Sequence, residues 1–243
     1  MKDYKPAMSF DEDVAARDRD VVRGDEEPAV AFLAVHAGEG PALELGIGSG
    51  RIAMPLAARG IRVDGVDISP AMVAQLRARP GGEEMAVTIG DFADVPVDGA
   101  YRLIYVVFNT FFNVLTQDGQ VRCFRNVAAH LTEDGSFVIE AYPPDFLFRL
   151  RDHQYVNAEA IEVGHVTLDV LRHDPTKQMI EESHVRLSRD GVRLNPVVQR
   201  YAWPSELDLM ARIAGLRLKE RWGGWDRRPF TARSSNIVSV YGR

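Results

Sequence analysis

Cysteine is almost absent from this chain. Cys123 is the single one in 243 residues, which excludes an intrachain disulfide framework and any multi-cysteine zinc site. Its neighbours Phe124 and Val127, in a run with helical spacing, mark it as a buried structural thiol rather than a nucleophile. Long apolar runs are missing too, and nothing approaches the ~20 residues of a membrane span. The acidic start, with Asp3, Asp11, Glu12 and Asp13, has no apolar signal-peptide core, so a soluble, cytoplasmic protein is expected. Positive charge is in deficit, with 29 Lys and Arg against 35 Asp and Glu, a net of -6. Residues 1–27 alone hold five Lys/Arg and nine Asp/Glu, so the remainder is nearly balanced. A nucleic-acid binder needs cations to replace phosphate counterions, and neither DNA nor RNA is expected as a partner. Repeats and low-complexity tracts are absent as well. A chain this long suits one α/β domain with an insertion, or two small domains.

From about residue 26 to 142, strand and helix patterns alternate. A helix is expected over 26–36, closing near Gly38, followed by a short apolar strand in "PALELGIGSG" that runs into a glycine loop. "RIAMPLAARG" has helical periodicity and closes at Gly60, and "IRVDGVDI" is a second strand. Ser69 and Pro70 then supply an N-cap and a first-position proline for a helix that stops at Pro80-Gly81-Gly82. "MAVTIGD" and "YRLIYVVF" are the third and fourth strands, 118–131 a helix, and "GSFVIEAY" the fifth strand. Such alternation predicts a parallel sheet with helices on both faces. The pattern then changes to three strand-like runs, 161–172, 179–187 and 192–203, joined by "HDPTK" and "SRDG" in an antiparallel meander. A helix capped by Ser205, with Asp208 at its third position, ends at Gly215. Strands over 216–222 and 236–241 close the chain and are expected to rejoin the first sheet. The expected organisation is a lid-like segment 1–25, charged but helically spaced over 10–22, a core made of 26–145 and 204–243, and an antiparallel insertion 146–203.

The glycine loop is the most informative stretch. Gly46, Gly48 and Gly50 sit between a strand and a helix, where a tight turn lets a ligand approach the backbone beside a helix N-terminus. The dinucleotide spacing G-x-G-x-x-G needs glycine at position 51, and Arg51 stands there. Glu44, two residues before the first glycine, would repel a pyrophosphate but suits the cationic amino-acid end of S-adenosylmethionine. Asp67 closes the second strand, where an acid accepts from ribose hydroxyls in either kind of site. Asp91 and Phe92, after the third strand, offer an acceptor for an exocyclic amine and an aromatic ring or amide for an adenine. Acids at three successive strand ends make the constellation specific.

Together "ELGIGSGR", "VDGVDISPAM" and "TIGDF" resemble the first three motifs of class I S-adenosylmethionine-dependent methyltransferases. The resemblance covers most of the chain and implies a Rossmann-like α/β sheet with helices on both faces, plus an antiparallel β insertion after the fifth strand. It implies that Glu44, Gly46, Gly48 and Gly50 line the methionine end, and that Asp67, Ile68 and Met72 surround ribose and adenine. By the same implication Gly90, Asp91 and Phe92 meet the base, and Phe108, Asn109 and Thr110 sit near the sulfonium. Within that superfamily the meander is similar to the architecture of deoxyamino-sugar N-methyltransferases and glycine N-methyltransferase. Those relatives often present an N-terminal tyrosine to the cofactor. Here "VAARDRD" has Asp18 in that region, and Tyr4, Phe10 and Arg17 are the candidates to replace it.

Methyl transfer from a sulfonium is an in-line displacement, so the enzyme mainly holds the acceptor at near-attack distance. A neutral amine needs little else, whereas a hydroxyl usually needs a base or a metal. The expected reaction is methyl transfer to N or O of a small-molecule acceptor. The alternatives are an inactive cofactor-binding regulatory subunit and a nicotinamide oxidoreductase. Four of the six histidines, His153, His165, His173 and His184, fall in the insertion. No tight H-x-x-x-H pair occurs, so no metal site is expected; one of them is a candidate acceptor-side base. Asn109, Tyr142, Tyr201 and Trp203 are the candidates to border the acceptor. The meander is expected either to roof the acceptor entrance or to pair two copies as a homodimer, a choice that Val166, Leu168 and Val170 leave open.

Overall fold

The computed structural model describes residues 1, 3–12, 14–15 and 23–243. Most of the helix expected over 10–22, with Arg17 and Asp18, lies outside the described residues. β1 (Ala42–Leu45) and β2 (Val63–Asp67) are buried at every position, as strands covered on both faces must be. β3 (Val87–Ile89) pairs with β2, β4 (Tyr101–Val106) with β1, and β5 (Leu131–Ala141) with β4, all parallel. Between them run α1 (Glu26–Ala37), α2 (Ala53–Ala57), α3 (Pro70–Arg77) and α4 (Gln117–His130). α1 opens on Glu26 and Glu27, the sign that a helix N-terminus favours. α3 is capped as its sequence predicts, with Ser69 Oγ accepting from the Met72 amide at 3.1 Å and Pro70 at the first position. For α4 the cap is Thr116, whose Oγ1 accepts from the Gly119 amide at 3.0 Å.

After β5 the chain builds a second sheet of four antiparallel strands in the order β6-β7-β8-β9. These are β6 (Gln154–Ile161), β7 (His165–Asp174), β8 (Met179–Ser188) and β9 (Gly191–Arg200). The sequence predicts three strands here, and the structure has four. β6 is an edge strand exposed at most positions, so QYVNAEAI shows no alternation to read. The run expected over 161–172 is broken where Glu162 donates to the His165 carbonyl at 2.9 Å. α5 (Pro204–Ile213) follows, with Trp203 at the N-cap and Pro204 opening the first turn. Ser205 is therefore not the cap, because proline's preset φ starts the helix before it. Asp208 binds Arg221 at 2.6 and 3.0 Å instead.

β10 (Arg217–Trp222) and β11 (Ile237–Gly242) return to the first sheet, where β11 runs antiparallel to both β5 and β10. Its order is β10-β11-β5-β4-β1-β2-β3. Apolar layers fill both faces. Phe32, Leu33, Leu56 and Tyr105 pack on the α1–α2 side, while Phe124 meets Phe111, Phe137 and Tyr241 edge-on on the α4–α5 side. Burial of Cys123 beside Phe124 raises its thiol pKa and makes it structural. No helix among the described residues is long and apolar enough to cross a membrane.

Candidate active site

The carboxyl ends of the parallel strands open on a cavity of about 520 Å³. The switch of strand order at β1, with β2 on one side and β4 on the other, is where such sheets bind ligands. β1 delivers Glu44 to the cavity with 2% of its surface exposed. The loop after it is tied to β2, since the Gly46 and Ile47 amides both donate to the Val66 carbonyl at 2.7 and 3.1 Å. Gly46 has φ +77, and a Cβ there would meet Thr110 at 2.6 Å. The Gly48 amide donates to Asp67 Oδ2 at 2.7 Å, and the Ser69 amide donates to Oδ1 at 2.8 Å. Asp67 thus holds two loops together while facing the cavity.

The electrostatics of this floor call for a cation. Burial pushes the Glu44 carboxyl up to about 8, against the Tyr105 hydroxyl that donates to it at 2.9 Å. Burial also raises Asp67, against the Ser69 and Gly48 amides. Arg23 and Arg51 line the same cavity, and the Arg23 guanidinium lies over the Phe108 ring at 4.0 Å. The cavity lining therefore presents both signs of charge, which suits a zwitterionic amino-acid group. Ile68, Met72, Asp91 and Phe92 also line the cavity, and Asp91 Oδ1 accepts from the Ala93 amide at 2.9 Å. Phe108 and Asn109 take left-handed backbone angles, φ 58 and 62, an uncommon strain that the surrounding structure must hold in place. Glu140 Oε2 accepts from the Phe108 amide at 2.8 Å, and Asn109 Oδ1 accepts from the Tyr142 amide at 2.8 Å.

Of the residues singled out from sequence, Glu44, Gly46, Gly48, Asp67, Ile68, Met72, Asp91, Phe92 and Phe108 line the cavity. Gly50 packs against Leu76 and Gly90 against Pro96, both behind the lining. Asn109 braces the ends of β4 and β5 rather than lining the cavity. On the acceptor side the expected pair is displaced. Tyr201 is fully buried with its hydroxyl 3.0 Å from His173 Nε2, and Trp203 packs beside Phe148 and Tyr201. Strand parity does not carry past Arg200, where β9 ends. It is Val197 and Gln199, inside the strand, that reach the cavity. Tyr142 stands behind them, donating to Gln199 Oε1 at 3.0 Å. None of the four insertion histidines lines the cavity, and burial lowers the pKa of His173. Arg23, Gln199 and Val197 carried no sequence signal. Arg51 did, as the residue that breaks the dinucleotide spacing.

A doubly covered α/β sheet with acids at successive strand ends, around a cavity lined by both signs of charge and by apolar side chains, suits a protein that binds a nucleoside bearing an amino-acid tail. Comparison with known proteins makes this specific. Residues 42–135 match the family model described as a methyltransferase domain. The CcbJ methyltransferase from Streptomyces caelestis is 36% identical, with a TM-score of 0.90 over 98% of this chain and 99% of that one. A cypemycin N-terminal methyltransferase from Streptomyces sp is 28% identical over 204 residues, 83% of this chain and 82% of that protein. An amino pentose methyltransferase of calicheamicin biosynthesis, CalS10 from Micromonospora echinaspora, shares the fold, with a TM-score of 0.69 at 20% identity over 95% of this chain and 96% of that one. The chain belongs to the class I S-adenosylmethionine-dependent methyltransferases. It is an enzyme that uses S-adenosylmethionine to methylate N or O of a small-molecule acceptor, and the regulatory-subunit and nicotinamide readings fall away.

Proposed function

We propose that the acceptor atom is an amine nitrogen. The observation that carries this is the part of the cavity lining not assigned to the cofactor. There Thr110, Asn113, Thr116, Val197 and Gln199 offer neutral hydroxyl, amide and aliphatic groups, and the one cation among the described residues, Arg122, is paired with Asp94. S-adenosylmethionine supplies a methyl group on a cationic sulfur that is already a good leaving group. The chain's remaining task is placement. Gln199 Oε1, which takes the Tyr142 hydroxyl on one lone pair, can accept from an amine N–H on the other and so aim the nitrogen lone pair, which a neutral amine needs and a hydroxyl does not find sufficient. The names of the cypemycin N-terminal and amino pentose enzymes support the same reading.

In this reading Glu44 holds the α-amino group of the cofactor and Arg23 and Arg51 its carboxylate. Asp67 accepts from the ribose, and Asp91, Phe92, Ile68 and Met72 enclose the adenine. Residues 1–25 act as the lid. Support comes from the Ser69 hydroxyl, which donates to the Phe10 carbonyl at 2.6 Å, and from Ser9 Oγ, which donates to the Pro196 carbonyl at 2.7 Å. Phe10, at the cavity, takes the place of the N-terminal tyrosine, and residues 146–203 roof the acceptor. The test is methyl-labelled cofactor offered with matched acceptors, an amino sugar and a short peptide against their hydroxyl analogues. Label on nitrogen is expected; label on the hydroxyl analogues alone overturns the proposal.

A further inference from the structure

The inward face of the second sheet carries a cluster that does not line the cavity. Asp169 on β7 stands directly opposite His184 on β8, with Glu182 two residues before it. A carboxylate oxygen from each acid and a ring nitrogen of His184 all lie within 4.8 Å of one another. Acids gathered on a surface are common, but Asp169 is only 7% exposed; its buried Oδ1 takes no N–H or hydroxyl donor among the described residues, and the Glu182 carboxyl, when protonated, hydrogen-bonds to Asp169. Its other oxygen accepts from the Tyr155 hydroxyl. The His184 ring is held from its far side, with Nδ1 3.3 Å from Glu159 Oε1 and Nε2 3.9 Å from Glu182 Oε1. Among the described residues, no lysine or arginine ion-pairs with Asp169 or Glu182. An outer carboxylate on a ligating histidine and a hydrogen bond on a ligating carboxylate are the supports that orient metal ligands.

We propose that Asp169, Glu182 and His184 bind a divalent first-row transition metal ion, with Glu159 and Tyr155 as outer supports. One imidazole with two carboxylates suits zinc and its neighbours. The cation takes the place of the proton that Glu182 shares with Asp169, and His184 Nε2 is left as the lone-pair nitrogen when Nδ1–H donates to Glu159. Glu182 stands opposite Val197 in the β8–β9 register, so the ion sits one strand from the cavity wall and fixes the strands behind it. The ligands come from two strands that meet only on folding, which is why the spacing of the histidines predicts no metal.

The test uses the full chain after chelator treatment, titrated with Co(II) and followed by visible absorption, then with Zn(II) by calorimetry. One equivalent of Co(II) with d–d bands stronger than those of the free aqueous ion is expected, displaced by Zn(II). His184→Ala and Glu182→Gln should abolish the bands, and Glu159→Gln should weaken binding about 10- to 100-fold. A wild-type spectrum identical to free Co(II) overturns the site whether or not any variant folds. Bands that persist in both folded ligand variants overturn it too, by placing the metal elsewhere.

Discussion

The two sheets are buried in different ways. β1 and β2 are covered at every position, while β6 is mostly open and Val156, Val192 and Leu194 of the second sheet are more than 60% exposed. Ligand groups follow the same division. In the first sheet they stand at the ends of consecutive parallel strands, so Glu44, Asp67 and Asp91 are ordered along the chain as they are around the cavity. In the second they come from antiparallel register, which joins residues distant in sequence. A parallel sheet thus writes its site into local motifs, and a meander writes its own into pairing.

Stability should show the largest contrast. Phe124→Ala, which removes three edge-on aromatic contacts and a fully buried ring, should cost about 3–5 kcal/mol in urea unfolding. Leu194→Ala on the open face of β9 should stay within about 0.5 kcal/mol. A large loss at Leu194 would mean that this face is covered, as in a homodimer, and sedimentation would then show it.

Next comes cofactor affinity. Asp67→Asn should weaken binding of the demethylated product by about 1.5–3 kcal/mol, the worth of hydrogen bonds to a charged group. Calorimetry would read this as roughly a 10- to 150-fold change. Unchanged affinity in the folded variant removes Asp67 from the ribose.

Glu44 gives a pH-dependent effect. Its carboxyl titrates at about 8 in the free protein, and a cation beside it favours the charged form. Affinity for S-adenosylmethionine should rise between pH 6 and 8, by at most about tenfold per pH unit, and Glu44→Gln should flatten that rise. Free-protein stability has the opposite slope. Between 4.5 and about 8 the folded chain keeps a proton that the unfolded chain has released, so stability falls as pH rises across that window. Glu44→Gln should reduce the fall, seen as a higher Tm at pH 8 without cofactor.

The alternation of strand and helix over 26–142 made the first sheet legible, because buried parallel strands are short continuous apolar runs between glycine and proline stops. Of its terminal antiparallel pair, β11 is buried throughout and reads as such a run, whereas β10 is charged and half exposed. β6 was not legible, since an exposed edge strand imposes no pattern. At the site, the glycine loop and three acids could be read because each follows a strand at a fixed offset. Gln199 and Val197 could not, because which residues of β9 reach the cavity depends on where the strand ends. Arg23 enters from outside the core, and no local pattern marks it.

Gln199→Ala tests most directly whether the second sheet serves the acceptor and not the cofactor. S-adenosylmethionine affinity by calorimetry and acceptor KM by steady-state turnover should be measured on the same preparation. The division predicts a cofactor Kd within about twofold of wild type and an acceptor KM raised about tenfold, the loss of roughly one hydrogen bond. A weakened cofactor Kd with an unchanged acceptor KM would contradict it.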